Sequence, residues 1–193
     1  TEAHARRVEG LFGLPAQACG AVFVGTETDH FTINEAEKTT APVTGPLRVL
    51  FYGQFIPLHG IGHIIEAAHI LRDEAVEWVL IGIGQEADRI RELLARNPLP
   101  KVRWLEWVEY DHLVDWIDAA DLCLGIFGGS VKAASVIPNK VFQVVAAGRP
   151  LITRDSPAIR ELLHHDPPCV SLVPAESGAA LASAIRAFMA MTR

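Results

Sequence analysis

The residues best placed for chemistry lie in the run Ile137-Pro138-Asn139-Lys140-Val141-Phe142-Gln143-Val144-Val145-Ala146-Ala147-Gly148-Arg149-Pro150. Its spacing predicts a helix of about ten residues. Pro138 takes the first helical position, where a missing N–H is no loss, and Gly148 and Pro150 supply the left-handed cap and the stop. Lys140 then sits on the opening turn. Free N–H groups, the positive end of the helix dipole and an ammonium group together suit a phosphate. The same run also suits a packing helix that carries a surface lysine, so the neighbouring segments must decide.

Three glycine-punctuated segments could share that site. Gly53-Gln54-Phe55-Ile56-Pro57-Leu58-His59-Gly60-Ile61-Gly62 follows an apolar run and opens a helical pattern, so it is either a loop that lets a ligand approach the backbone or a tight packing turn. Gly82-Ile83-Gly84-Gln85-Glu86-Ala87 matches G-x-G-x-x-A, with Glu106 about 20 residues on, which outlines a dinucleotide fingerprint. That fingerprint normally follows the first strand of its domain, and this match follows the second. A glycine turn packing a helix onto a sheet has the same pattern. Gly125-Ile126-Phe127-Gly128-Gly129-Ser130-Val131-Lys132-Ala133 leads to Ile137, which precedes a proline and is pushed out of the helical region. Residues Gly128 to Asn139 therefore read as a loop bringing Ser130, Lys132 and Lys140 to one place, where two lysines and a helix N-terminus could neutralise a diphosphate. The bland alternative is a solubilising loop.

The elements that must position these residues follow a regular rhythm. Apolar runs at Arg48 to Tyr52, Glu77 to Ile81, Val102 to Glu106, Asp121 to Ile126, Leu151 to Thr153 and Cys169 to Val173 alternate with helical patterns. Near-continuous hydrophobic strands alternating with helices predict an α/β fold: a doubly wound, mostly parallel sheet with helices on both faces. Ile61, Ile64, Ile65 and Ala68 mark the core face of one helix, and Leu181, Ile185, Phe188 and Met189 that of the last. Ser156-Pro157 starts a short helix through Leu163. In such sheets ligands bind beyond the carboxyl ends of the strands, where the glycine segments and Lys140 fall.

Residues before Leu47 stand outside the rhythm. His4 to Phe12 reads as helix and Ala21 to Val24 as a strand, so residues 1–25 are expected to be the tail of a preceding domain. Residues 26–46, rich in Thr, Glu, Pro and Gly, read as a linker, and 47–193 as the domain itself. The chain opens at Thr1 without an initiator Met, signal or transit pattern, and reads as a piece of something longer.

With 193 residues the chain can bury one sizeable core. Its net charge of -6, with no basic tract, argues against nucleic acid, so an anionic ligand must be held by local geometry. No apolar run approaches the roughly 20 residues of a membrane span. Cys19, Cys123 and Cys169 form no metal or disulfide pattern, which fits a reducing cytosol.

Taken in order, the Gly53 to Gly60 segment, Ile81-Gly82-Ile83-Gly84-Gln85, Trp107-Val108-Glu109-Tyr110 ahead of Ala119-Ala120-Asp121, and the Pro138 to Pro150 run resemble the C-terminal, donor-binding half of GT-B glycosyltransferases. The likeness runs from about Leu47 to Phe188 and is nearest the large retaining group called family four, the glycosyl transferases group 1. It implies a nucleotide-diphosphate sugar as donor substrate, no cofactor or required metal, and retention of configuration. It also implies an acceptor held by a preceding half, hexosyl transfer by the full-length enzyme and little by this piece. A cytoplasmic enzyme, associating peripherally with membranes when its acceptor is lipid-linked, fits the same picture.

By resemblance Gly53, Gln54, His59 and Gly60 face the phosphates, with Gly82 and Gly84 in the neighbouring turn. Trp107 and Val108 lie against the base, bordered by Tyr110, although Trp107 also suits an edge or core aromatic. Gly129, Ser130, Asn139 and Lys140 approach the diphosphate, Lys132 adds charge, and Gln143 meets the ribose. Lys140 and Lys132 would act catalytically by stabilising the leaving diphosphate. The chain departs from the family at four places. Gln54 and His59 stand where an arginine and a lysine are usual, and Ser135 and Gln143 stand where two glutamates are usual. A protonated His59 could replace lost charge. Two rival readings stay open: a nucleotide-binding sensor without turnover, and the NAD-type dinucleotide domain suggested by Gly82, Gly84, Ala87 and Glu106.

Overall fold

The structure, a computed structural model, describes residues 1–32, 45–163, 167 and 169–192. Six strands form one all-parallel sheet: β1 (Leu47–Tyr52), β2 (Val76–Ile81), β3 (Val102–Leu105), β4 (Leu122–Leu124), β5 (Leu151–Arg154) and β6 (Val170–Val173). Their order across the sheet is β3-β2-β1-β4-β5-β6, so the winding reverses between β1 and β4. Leu50 sits opposite Val79 on one side and Cys123 on the other, which makes β1 the shared central strand.

Alternation along β1 explains why both faces are covered. Leu47, Val49 and Phe51 point into one core with α2 (Ile61–Ile70), α3 (Ala87–Arg96) and α8 (Gly178–Thr192). Leu50 and Tyr52 point into the other, with α4 (Leu113–Ala119), α6 (Asn139–Ala146) and α7 (Pro157–Leu162). Period-two strands thus meet period-3.6 helix faces on both sides. The expected residues Ile61, Ile64, Ile65 and Ala68 are buried, as are Leu181, Ile185 and Met189. The doubly wound α/β architecture expected from the sequence is the observed one.

Local differences have local causes. Pro138 is the N-cap of α6 instead of its first helical residue, and the helix is shorter, with 8 residues. Gly148 (φ 66) closes it in a paired cap: Gly148 N–H donates to the Val145 carbonyl and Arg149 N–H to that of Val144. The stretch from Gly128 to Asn139 is not all loop, because it holds the short helix α5 (Val131–Ser135), whose N-cap Ser130 accepts from Ala133 N–H at 3.1 Å. Ala21 to Val24 is not a strand; Val22 and Val24 are exposed and no strand pairs with them among the described residues.

The N-terminal segment packs on this domain. Helix α1 (Glu2–Phe12) is anchored where Glu161 accepts from the Glu2 and Ala3 N–H groups and Thr1 Oγ1 donates to the Ser135 carbonyl. Phe31 is fully buried in the second core, inside the stretch expected to be linker. Positions 33–44 of that linker lie outside the described residues.

Candidate functional site

The site is a shelf along the carboxyl edge of the sheet, where four loops are joined by backbone hydrogen bonds. The loop after β1 takes Gly53 N–H to Ile81 O at 2.9 Å and Phe55 N–H to Ile83 O at 3.1 Å, which ties it to the exit of β2. On its other side Phe127 N–H donates to His59 O at 3.0 Å and Gly128 N–H to Leu58 O at 3.2 Å. Glu176 N–H donates to Phe127 O at 2.9 Å, adding the loop after β6. Gly60 (φ 67) both starts α2 and lets the Gly128 backbone approach: a Cβ at Gly60 would lie 2.8 Å from Gly128 N. The reversal point of the sheet is therefore a rigid seam, which is where open α/β sheets hold ligands.

Lys140 lies beneath this seam instead of on its surface. It is 5 % exposed, and its Nζ sits 3.8 Å above the Phe51 ring and 5.7 Å from that of Tyr52. It has no hydrogen-bond partner among the described residues. Gly53 (φ 135) lies over the socket of the amine, where a Cβ would stand 2.9 Å from Nζ. Burial pushes the Lys140 pKa well below its ordinary range. A buried polar atom without a partner is uncommon and calls for an explanation.

His59 closes the socket. Its Nδ1 meets the Gln54 carbonyl and its ring stands edge-on to Phe51, with centroids 5.8 Å apart. Burial, reinforced by Lys140, pushes its pKa down to about 4 against the opposing pull of the Gln54 carbonyl. The expectation concerned His59 beside a diphosphate; without one, burial and Lys140 disfavour its protonation. Gln54 itself points to solvent.

The remaining expected residues divide into those the fold gathers and those it separates. Asn139 is exposed at the start of α6. Gln143 is 9 % exposed and already accepts from Tyr52 Oη at 3.0 Å, while the Tyr110 hydroxyl also meets its side chain. Burial holds the Tyr52 phenol well above its ordinary value, so it stays a neutral donor. Tyr110 is clamped from the N-terminal side: it donates to Glu27 at 2.8 Å, stacks on His30 at 5.2 Å and meets the edge of Phe31. Trp107 is 75 % exposed at the end of β3, belonging to no core, and Val108 packs partly into the second core. Lys132 is exposed on α5, apart from the buried environment of Lys140, and Ser130 is engaged as a helix cap. Among the described residues no hydrogen bond joins Ser130, Lys132 and Lys140, and Lys140 is buried where the other two are exposed.

The dinucleotide reading fails on its own residues. Gly82 and Gly84 are glycines because Gly53 O and the Phe55 backbone occupy the space a Cβ would need. At the start of α3, where a pyrophosphate would sit, the N-cap is Glu86, whose Oε2 is buried without a partner among the described residues. Glu106 is paired with Arg91.

Two shelf residues escaped the sequence reading. Arg154, at the buried end of β5, donates to the Gly128 and Asp155 carbonyls, and Glu176 (φ 57) lies against Gly129. A charged residue ending an apolar strand was a signal for the first; nothing in the sequence marked the second. A separate hollow of about 150 Å³ lies at the opposite edge, lined by Arg72, Trp78 and Lys101, where Lys101 is bound to the Arg72 and Glu74 carbonyls.

Fold and shelf together define a doubly wound α/β domain with a buried, partnerless lysine at its topological switch point. The chain belongs to the glycosyl transferases group 1 family, whose model matches residues 46–191. It is 25 % identical over 161 residues to the amylovoran biosynthesis glycosyltransferase AmsK of Erwinia amylovora, covering 80 % of this chain and 38 % of that protein. It is 26 % identical over 140 residues to the putative colanic acid biosynthesis glycosyl transferase WcaI of Escherichia coli, covering 72 % and 34 %. The chain thus spans little more than a third of these curated relatives. Among solved structures, the C-terminal domain of a group 1 glycosyl transferase from Francisella tularensis superposes with TM-score 0.66 at 17 % identity, over 86 % of this chain and 88 % of that one. Anabaena HepE in complex with UDP superposes with TM-score 0.71 at 16 % identity, over 97 % and 52 %. These likenesses concern the fold.

Proposed function

We propose that this chain is the donor-binding domain of a glycosyltransferase, holding a nucleotide-diphosphate sugar while the rest of the protein presents the acceptor. The observation that carries this reading is the partnerless Lys140 amine beneath Gly53 and His59, at the N-terminus of α6. A diphosphate would supply the missing partner, draw a proton onto the amine and meet the free N–H groups of the helix. Family membership and the UDP in the HepE structure support a nucleotide donor.

The chemistry follows from charge. Breaking the bond from sugar to phosphate develops negative charge on the leaving diphosphate, which Lys140 and the α6 dipole stabilise, with Lys132 adding a more distant charge. Gln143 and Asn139 border the nucleotide, and Val108, Tyr110 and Trp107 frame the base. Hexosyl transfer with retention, without a cofactor or metal and at the cytoplasmic side, completes the proposal. Because the acceptor would be bound outside this domain, the chain alone is expected to bind without transferring.

A second reading is a sensor without turnover, favoured by the neutral Gln54 and by Ser135 and Gln143. The Ser135 hydroxyl is engaged by the Val131 carbonyl at 2.8 Å. Calorimetric titration of this chain with UDP, GDP, ADP and NAD tests the site: binding of a nucleoside diphosphate is expected, and heat with NAD alone would overturn it. Sugar transfer by the full-length protein separates enzyme from sensor.

A further inference from the structure

Glu176 is held in a conformation that a glutamate seldom adopts. Its φ is 57, in the left-handed region favoured by glycine, and the Pro174-Ala175-Glu176-Ser177 turn could have used glycine there. The hydrogen bond from Glu176 N–H to Phe127 O at 2.9 Å fixes that geometry against the exit of β4. Strain of this kind persists where the surroundings over-determine it, and it is enriched at functional positions.

The side chain has a prepared seat. The Glu176 carboxylate lies against Gly129, in the space that a Cβ there would take, so a larger residue at 129 would displace the carboxylate. The Arg154 guanidinium, 8 % exposed and bonded to the Gly128 carbonyl, acts on Glu176 through its charge. Glu176 is exposed on its outer side and its oxygens accept no hydrogen bond from the described residues. Neither Ser135 nor Gln143 brings a carboxylate to this shelf. Along the seam the order is Lys140 beneath Gly53, then His59 and Gly60, then Gly128 and Gly129, then Glu176.

We infer that Glu176 is the sugar-selecting carboxylate of the donor site, accepting hydrogen bonds from two hydroxyls of the hexose that extends from the diphosphate across Gly129. An ionised carboxylate has four lone-pair positions and suits a pair of adjacent hydroxyls, whereas a bare phosphate would be repelled by it. The assignment rests on the donor-site reading above and predicts selectivity within it.

The test is calorimetry on the 193-residue chain and its Glu176→Gly and Glu176→Gln variants, with UDP, GDP and ADP and with the glucose and mannose esters of each. Both variants are expected to keep wild-type affinity for the free diphosphate and to lose at least tenfold for its sugar ester. Glu176→Gly relaxes the backbone, so its Tm should equal or exceed that of the wild type, which separates lost recognition from a damaged fold. Unchanged affinity for the sugar esters would overturn the inference and leave Glu176 as a counter-ion of Arg154. An equal loss for diphosphate and ester would also overturn it. A wild-type chain that binds none of these nucleotides would overturn the donor-site reading, and this inference with it.

Discussion

At the scale of single residues, Lys140 opposes stability and serves binding. Burying its amine without a hydrogen bond costs about 1–3 kcal/mol, and a flexible apolar side chain of similar length would remove that cost. Lys140→Met is therefore expected to stabilise the protein by roughly 1–3 kcal/mol while weakening nucleoside diphosphate binding at least tenfold. The pH dependence carries the same signature. Lys140 and His59 both bind protons less readily folded than unfolded, so stability rises with pH wherever the unfolded chain holds more protons. The His59 share is complete above its ordinary value of 6.5 and is lost as pH falls toward about 4. The Lys140 share continues to grow up to its ordinary value of 10.5. Urea midpoints from pH 5 to 8, below the range where the raised Cys123 and Tyr52 groups act, should show both slopes in the wild type and only the acidic one in Lys140→Met. An alkaline slope that persisted would remove Lys140 as its source.

At the scale of elements, the alternation of apolar runs with helical patterns was enough to anticipate the six strands and both helix layers. Periodicity reports burial within an element, and the sheet is built from such elements. It could not report contacts between loops. Gly53 was legible as a turn residue, but not as the roof over an amine contributed 87 positions later in the chain. Gly82 and Gly84 matched a ligand motif because a glycine cleared for another backbone looks the same as one cleared for a phosphate. Helix α5 was hidden by its five residues, too few to show a period, although Ser130 carried a cap signal. Loop-to-loop packing at the seam is testable at Gly128, where a Cβ would overlap the Pro57 carbonyl. Gly128→Ala should cost about 1–3 kcal/mol in urea unfolding and weaken diphosphate binding. Gly10→Ala, where the added methyl meets nothing within 4 Å, is the control and should gain up to about 1 kcal/mol of helix stability. Equal effects at the two positions would contradict a packed seam.

At the scale of the whole molecule, the segment before the sheet is structurally part of it. Phe31 fills the second core beside Tyr52 and Ile117, and Phe31→Ala is expected to cost about 3–5 kcal/mol, measured by thermal or urea unfolding. A loss under 1 kcal/mol would make the segment an accessory strap. The position of β1 also governs the order in which the molecule assembles. Its partner β2 lies nearby in the chain, whereas β4 lies more than twice as far along it. Closing the longer loop costs only about 0.8 kcal/mol more, but that entropy must be lost before any contact rewards it. The β1–β2–β3 wing is therefore expected to form before the β1–β4 junction, with higher φ-values in β2 than in β4. The socket of Lys140, with Gly53 from the β1 side, straddles that junction, whereas the seat of Glu176 lies on the β4–β5–β6 side of it. Breathing of the junction would dismantle the shelf while each wing stays folded, so binding competence should decay under milder conditions than secondary structure does.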